Sequence, residues 1–206
     1  MPQVLNAERT PRDVIVLGAS AGGVLPLRDL LAKLPADINA AIALVLHRSP
    51  AVESKLAAVL GGRSGIPVVE AVDGSMLQAG VVHVAPRDHH LRIDGSTLRL
   101  SRGPKEHHTR PAIDPLFTSA AASHGRRVVG VLLSGTGDDG VAGLISITAA
   151  RGLSLVQHPD EALFPQMPRS AIVNDRVEAA LPVSEIAETL AALGRGESVV
   201  RIEQSA

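Results

Sequence analysis

Two kinds of hydrophobic pattern alternate along this chain: short apolar runs, and segments whose apolar residues recur at helical spacing. The apolar runs predict strands, and the runs without polar residues predict strands buried on both faces of a sheet. These strands are predicted over residues 14–17, 41–46, 66–69, 127–133 and 153–156. Helices are predicted over residues 24–34, 54–60, 114–124, 141–150, 168–174 and 184–193, with Asp114 and Ser184 as N-caps. Because strands and helices alternate, we expect a doubly wound α/β fold in three layers with a mostly parallel sheet.

Residues 80–100 follow a different pattern, in which apolar and polar side chains alternate. Alternation on both sides of Asp94-Gly95-Ser96 predicts an antiparallel hairpin with one solvated face. We expect this hairpin to extend one edge of the sheet. No linker, repeat or change of composition interrupts residues 13–194, so we expect one domain there, with residues 1–12 and 195–206 as flexible termini.

The composition of the chain limits the classes of protein to which it can belong. Of its 206 residues, 45% are hydrophobic, which is enough to bury a core. A net charge of −1 and an aromatic content of 1% argue against nucleic-acid binding, which relies on positive charge and base stacking. The chain contains no cysteine, so it has neither a disulfide nor a thiol nucleophile. No apolar run has the length of a membrane span or the form of a signal peptide, and we expect a cytoplasmic protein without membrane insertion.

Ser20 lies on the predicted turn between the first strand and the first helix. Residues 18–22 match the G-x-S-x-G pattern of a nucleophile elbow, which lifts a serine above the sheet at a helix N-terminus. Two other interpretations stay open at this point: a phosphate or dinucleotide loop, and a serine that only caps the helix. A G-x-G-x-x-G loop would need glycine at position 20, and the lysine of a Walker loop is missing.

Residues that could act with Ser20 follow two other predicted strands. His47 comes directly after the second strand, and Asp138 and Asp139 follow the strand that ends at residue 133. Because ligands bind beyond the carboxyl ends of parallel strands, we expect these side chains at one edge of the sheet. A serine nucleophile needs an imidazole to take its proton and a carboxylate to orient that imidazole. The order Ser…His…Asp differs from the Ser…Asp…His order of α/β-hydrolases.

The sequence resembles the catalytic domain of the CheB-type protein-glutamate methylesterases of chemotaxis. The resemblance covers about residues 13–193. It rests on a set of short motifs: residues 18–23, His47 after the second strand, residues 77–86, Arg110-Pro111 with residues 114–117, residues 135–140, and Met167-Pro168-Arg169.

This resemblance implies roles for particular residues. It implies Ser20 as the nucleophile, His47 as the base and Asp139 as the carboxylate that orients His47. Ala21 and Thr136 occupy the positions where the family uses backbone N–H groups to bind the oxyanion. Asp138 is interpreted as a helix cap without a chemical role. No cofactor and no metal are implied.

The reaction implied by the resemblance is removal of the methyl ester from glutamate on a methylated, chemoreceptor-like protein, with deamidation of glutamine as a second activity. A methyltransferase would act in the same pathway. The chain departs from the family at two places, with Leu46-His47-Arg48-Ser49 for Gln-His-Met-Pro and Gly135-Thr136-Gly137 for Gly-Met-Gly. The family's receiver domain is missing from this sequence, so we expect no control by phosphorylation in cis. These differences leave open a second interpretation, a binding module of the same fold with weak or no turnover.

The remaining histidines show no metal-binding pattern, because no cysteine or Glu-x-x-His motif accompanies them. They are His83, His89, His90, His107, His108, His124 and His158. Two interpretations apply to Arg48, Arg87 and Arg110: they help to bind an acidic segment of a receptor, or they are simply solvated surface residues, and we favour solvation.

Overall fold

A computed structural model of the protein describes residues 11–49 and 55–197. The strands in these residues are β1 (Val14–Ala19), β2 (Ala41–Leu46), β3 (Val68–Glu70), β4 (Val82–Val84), β5 (His90–Asp94), β6 (Thr97–Ser101), β7 (Val128–Leu132), β8 (Leu153–Gln157) and β9 (Ala179–Leu181). The α-helices are α1 (Val24–Lys33), α2 (Leu56–Gly61), α3 (Ile113–His124), α4 (Val141–Ala149), α5 (Gln166–Asn174) and α6 (Val183–Gly194). Most of the two predicted flexible termini lies outside the described residues, namely residues 1–10 and 198–206. The predicted start of the second helix, residue 54, also lies outside them.

The central sheet contains seven parallel strands in the order β3-β4-β2-β1-β7-β8-β9. Helices α1, α2 and α6 cover one face, and α3, α4 and α5 cover the other. β1 lies in the middle and is buried over its whole length, which explains its continuous apolar run. The chain moves from β1 to β2 on one side and later returns to β7 on the other, so the strand order reverses at β1. The predicted three-layer, doubly wound α/β fold is confirmed.

Aliphatic side chains fill both interfaces between the sheet and the helices. On one face the core is built on Leu27, Leu31 and Leu190, and on the other it includes Phe117 and Leu144. All five are fully buried. Each such side chain contributes roughly 1.5–3 kcal/mol through removal of its surface from water.

The antiparallel hairpin β5–β6 forms a sheet of its own, so the expectation that it extends an edge of the main sheet is wrong. Its side chains Leu91, Ile93 and Leu98 are buried in the same cluster as α3. The hydroxyl of Ser119 accepts a hydrogen bond from the Ile93 N–H at 3.0 Å, and the hydroxyl of Ser123 donates to the Ile93 carbonyl at 2.9 Å. Packing on a helix buries the apolar face of the hairpin, so alternation alone could not distinguish a helix from a sheet edge as its partner.

Other local features also differ from the prediction. β4 pairs in parallel with β2 and β3 instead of joining the hairpin. β9 was not predicted, because three residues are too short to establish a period. Asp114 and Ser184 do not cap their own helices, since the N-cap positions of α3 and α6 are Ala112 and Pro182 and neither helix has a side-chain cap.

The register of the sheet brings the ends of three strands to one edge. Ala19 is paired with Leu46, and Gly18 is paired with Leu132. Backbone hydrogen bonds continue past the strands, from the His47 N–H to the Ala19 carbonyl at 3.1 Å and from the Leu133 N–H to the Gly18 carbonyl at 2.9 Å. The loops that follow β1, β2 and β7 therefore meet where the strand order reverses.

Candidate active site

Ser20 is the first residue after β1 and lies on the turn that leads into α1. Its N–H donates to the Ser134 carbonyl at 3.0 Å, and its own carbonyl accepts from the Gly23 N–H at 3.0 Å. The N-cap of α1 is Gly23, and no side chain caps this helix. The interpretation of Ser20 as a helix cap is therefore wrong, and its hydroxyl group is available for another partner.

That partner is His47, the first residue after β2. His47 Nδ1 lies 3.0 Å from Ser20 Oγ, and His47 Nε2 lies 2.6 Å from Asp139 Oδ2. Because the carboxylate can only accept, Nε2 carries the proton toward Asp139, which leaves Nδ1 to accept the proton of the serine hydroxyl. The two ring nitrogens are thus used in the opposite sense from the serine proteases, where Nε2 faces the serine.

Asp139 is buried and lies on the loop between β7 and α4, with a side chain only 2% exposed. Besides His47, its oxygens accept hydrogen bonds from the N–H groups of Ile113 at 2.7 Å and Asp114 at 3.0 Å, at the start of α3. Burial by itself raises the pKa of Asp139, but the hydrogen bonds from His47, Ile113 and Asp114 outweigh it and lower the pKa below its usual value. Asp139 is therefore a carboxylate at neutral pH.

A second buried carboxylate, Asp114, lies beside Asp139. Its Oδ1 accepts from the N–H groups of Gly140 at 3.0 Å and Gly143 at 2.7 Å, so it caps α4 from a distance instead of its own helix. Burial raises the pKa of Asp114, and the neighbouring charge of Asp139 raises it further. This arrangement could not be predicted from the sequence, because Asp-Pro at a helix start is typical of a local N-cap.

His107 completes this group and was also not foreseen. Its Nε2 lies 2.9 Å from Asp114 Oδ2, and its Nδ1 lies 3.3 Å from Asp138 Oδ1. Burial lowers the pKa of His107, but the carboxylates of Asp139, Asp114 and Asp138 outweigh it and raise the pKa overall. His107 therefore binds a proton more readily than an ordinary histidine, and as a cation it offsets the negative charge of this cluster.

The loop after β7 also lies against Ser20. A Cβ added at Gly135 would lie 2.9 Å from Ser20 Cβ and 2.0 Å from Met167 Sδ, so only glycine fits between the serine turn and α5. The next residue is Thr136. In the described part of the chain, the backbone N–H groups of Ala21 and Thr136 donate to no other group. Unpaired backbone N–H groups near a nucleophile are the donors that an oxyanion requires.

Several other residues from the sequence prediction have structural partners. His83 Nε2 accepts from the Gln78 N–H, and His90 bonds to the backbone of Pro104 and Ala112.

Two of the arginines from the sequence analysis form ion pairs. Arg48 pairs with Glu70 at 3.0 Å and Arg110 pairs with Asp88 at 2.7 Å, so the prediction that these two arginines are merely solvated is wrong. Asp138 is exposed and contacts His107, while its side chain does not cap α4.

A metal ion would have one candidate group among the described residues, made of His107, Asp114 and Asp139. All four carboxylate oxygens of the two aspartates already accept hydrogen bonds from backbone N–H groups or from histidine. The donor set therefore fits a hydrogen-bonded network, and a metal ion would have to displace these bonds.

The family model for the CheB methylesterase matches residues 15–190. The chain belongs to the CheB methylesterase family. Its fold is similar to the crystal structure of the Thermotoga maritima CheB methylesterase catalytic domain, with a TM-score of 0.83 and 30% sequence identity over 88% of this chain and 98% of that one.

Curated relatives support the same membership in the CheB family. A protein-glutamate methylesterase/protein-glutamine glutaminase of Pyrococcus horikoshii is 36% identical over 87% of this chain and 50% of its own length. A second such protein, from Anaeromyxobacter dehalogenans, is 42% identical over 89% of this chain and 54% of its own length. The chain thus spans about half the length of the curated relatives it matches. Among the described residues, no helix is both long and apolar enough to span a membrane.

Proposed function

We propose that this CheB-family domain is a serine hydrolase that removes the methyl ester from glutamate side chains of a receptor-like signalling protein. The observation that supports this most strongly is the chain of contacts from Ser20 Oγ through His47 to the buried Asp139. The relatives named protein-glutamate methylesterase/protein-glutamine glutaminase supply the substrate class. The reaction is expected in the cytoplasm, on receptors that a methyltransferase has esterified.

In the proposed reaction, Ser20 Oγ attacks the ester carbonyl while His47 Nδ1 takes the hydroxyl proton. The negative charge that develops on the carbonyl oxygen is bound by the N–H groups of Ala21 and Thr136. The C–O bond to the methoxy group then breaks, and the proton on Nδ1 leaves with methanol. A water molecule, deprotonated by the same nitrogen, hydrolyses the acyl-enzyme and regenerates Ser20.

Asp139 has two tasks in this proposal. Its carboxylate accepts the Nε2 proton and so keeps Nδ1 free as a base, and its negative charge stabilises the imidazolium that forms during attack. Because the lowered pKa keeps Asp139 ionised, both tasks are fulfilled at neutral pH. Glutamine would enter the same cycle with ammonia as the leaving group, which gives the deamidase activity named for the relatives.

The decisive experiment compares the wild-type protein with Ser20→Ala and His47→Ala on a small ester, N-acetylglutamate γ-methyl ester, by methanol release. We expect each substitution to lower turnover by several orders of magnitude, because the serine and its base act as a unit. A serine-reactive phosphonate should label the wild type and leave Ser20→Ala unlabelled. A folded wild type that neither turns over the ester nor reacts with the probe would favour the binding module instead.

A further inference from the structure

A cavity of about 480 Å³ opens beside the proposed active site, between the loop after β7 and helix α5. Thr136 is one of the residues that line it, and Phe164, Pro165 and Val173 form its apolar lining. The Gly135 N–H donates to the Phe164 carbonyl at 2.9 Å, which ties this wall to the loop that touches Ser20. Through Thr136 and this hydrogen bond, the cavity adjoins the loop that lies against Ser20.

Exposed apolar side chains continue along the surface beyond this cavity on both sides. Phe164 is 39% exposed and Val173 is 81% exposed. Ile145 shares a second cavity with Val173, and Leu163 shares a third with Leu25. We call these five side chains the apolar strip. They are five of the ten large hydrophobic side chains exposed in the described residues, and such clustering at the surface marks a binding site.

Arg169 is the charged residue among those that line the cavity beside Thr136. It is exposed, and it forms no ion pair with a carboxylate in the described part of the chain. Arg48 and Arg110, by contrast, are both paired within the protein. An unpaired guanidinium beside an apolar cavity favours a partner that is apolar and carries negative charge nearby.

We propose that the apolar strip binds an apolar side chain of the polypeptide that carries the methyl ester, three or four residues from the esterified glutamate, and that Arg169 pairs with an acidic residue of the same segment. This inference rests on the proposed esterase function. Among the residues that line the cavity, Thr136 alone belongs to the proposed active site, so the rest of the lining is left for other residues of the substrate. On a helical segment, residues three or four positions away lie on the same face, about 5–6 Å from the esterified residue, so they are the substrate residues expected to meet the apolar strip.

Two surface variants test this inference, each with a matched control. Val173→Asp places a charge in the strip, and Val59→Asp makes the same change at an exposed valine of α2 outside it. Arg169→Glu reverses the charge at the cavity, and Arg63→Glu does so at another exposed arginine. Thermal melting checks that all four variants fold.

The substrates are two helical peptides, each with one glutamate γ-methyl ester and one further glutamate. One has leucine three and four residues to either side of the ester, and the other has serine there.

We expect wild type to prefer the leucine peptide by about tenfold or more in kcat/KM, and Val173→Asp to lose most of this preference. We expect Arg169→Glu to cost about two- to fivefold at low ionic strength and less at high salt. N-acetylglutamate γ-methyl ester carries no neighbouring residues, so with it Val173→Asp should not differ from Val59→Asp, nor Arg169→Glu from Arg63→Glu.

Equal turnover of both peptides by wild type, or equal effects of the changes at Val173 and Val59, would overturn the inference. A change from dimer to monomer in Val173→Asp, measured by light scattering, would also overturn it, because the strip would then bind a second copy. If wild type hydrolyses neither peptide nor the small ester, the esterase proposal fails separately. Fluorescence anisotropy of the two labelled peptides then decides the docking question, with tighter binding of the leucine peptide expected and equal binding contradicting it.

Discussion

Each of two carboxylates at the site caps the helix beside the other carboxylate. Asp139, on the loop before α4, accepts the first N–H groups of α3, while Asp114, at the start of α3, accepts N–H groups at the start of α4. Each carboxylate therefore stabilises the helix start at which the other carboxylate is located. The residue proposed to orient His47 is therefore also a structural residue, and its substitution should affect both turnover and stability.

We predict that Asp139→Asn and Asp138→Asn behave differently although they remove adjacent charges. The asparagine side chain would offer one acceptor oxygen to the three groups that donate to Asp139, which belong to His47, Ile113 and Asp114. Its NH₂ group would replace the second oxygen and would point at a donor instead of accepting from it. Turnover of the small ester should fall on the order of 10⁴-fold if the amide misorients the imidazole as it does in serine proteases. The free energy of unfolding, measured with urea, should fall by about 1–3 kcal/mol.

Asp138→Asn should change ester turnover far less, because this exposed side chain contacts His107 and not His47. Equal losses of turnover at positions 138 and 139 would mean that general electrostatics, and not orientation of His47, explains the effect.

His107 and His108 form a second natural comparison. They are the two central residues of a turn closed by reciprocal hydrogen bonds between Glu106 and Thr109, and both have left-handed backbones, with φ of 48° and 61°. Only His107 contacts the carboxylates. Such positions favour glycine or asparagine, so substitution of either histidine by alanine disturbs the turn to a similar extent.

We predict that His107→Ala destabilises the protein more than His108→Ala, and that the excess depends on pH. Carboxylates raise the pKa of folded His107 despite its partial burial, so its contribution to stability is complete below the unfolded value of about 6.5. That contribution is lost as pH rises through the raised, folded pKa. Urea unfolding at pH 5.5 and pH 9 should give a larger difference between the variants at pH 5.5. A difference that grows with pH would contradict the assigned ion pairing.

At the scale of secondary-structure elements, the site is the meeting point of the turn before α1, the loop after β7 and the start of α5. The Met167 N–H donates to the Gly135 carbonyl at 3.1 Å, and the Met167 side chain is fully buried. Gly135 is thus enclosed between Ser20 and α5. The position of Ser20 relative to the free N–H of Thr136 depends on this close approach.

Gly135→Ala is expected to reduce ester turnover about 100-fold or more. The new Cβ would clash with Met167 and Ser20, and a displacement of about 1 Å at a reacting group costs about that much. Gly61→Ala is the matched control, because its Cβ would lie 3.4 Å from the nearest atom, within ordinary contact. Turnover by methanol release and thermal melting would be measured on both. Wild-type turnover in Gly135→Ala would disprove the tight placement of the loop.

At the scale of the whole molecule, stability comes from two aliphatic cores on either face of the sheet. The chain has two phenylalanines, and the structure uses them differently. Phe117 is fully buried between α3 and α4, where a Cβ added at Gly143 would lie 2.4 Å from Phe117 Cβ. Phe164 lies at the surface in the apolar strip.

We predict that Phe117→Ala lowers the free energy of unfolding by about 3–5 kcal/mol, because it leaves a cavity that the packed helices cannot close. Phe164→Ala should change it by less than about 1 kcal/mol, since its ring is already partly in water. Urea unfolding gives both values. Similar losses in the two variants would mean that Phe164 belongs to the core and not to a binding surface.

The sequence by itself determined the type of fold and the residues at the strand ends. A strand covered on both faces must be apolar throughout, so β1, β2 and β7 were visible as runs whatever packs on them. Because parallel strands end at one edge, the sequence also indicated that Ser20, His47 and an aspartate would meet. Local patterns did not decide which partner the hairpin packs on, since α3 and a sheet edge bury the same alternating face.

Tertiary structure alone decided which nitrogen of His47 faces Ser20, which helix each aspartate caps, and that His107 joins them. These features depend on distances between segments far apart in the chain: the Gly140 N–H that binds Asp114 lies 26 residues away. A cap motif records only local hydrogen bonding, so Asp-Pro predicted a cap on α3. The buried N–H groups at the start of α4 needed an acceptor, and the close approach of α3 to α4 made Asp114 that acceptor.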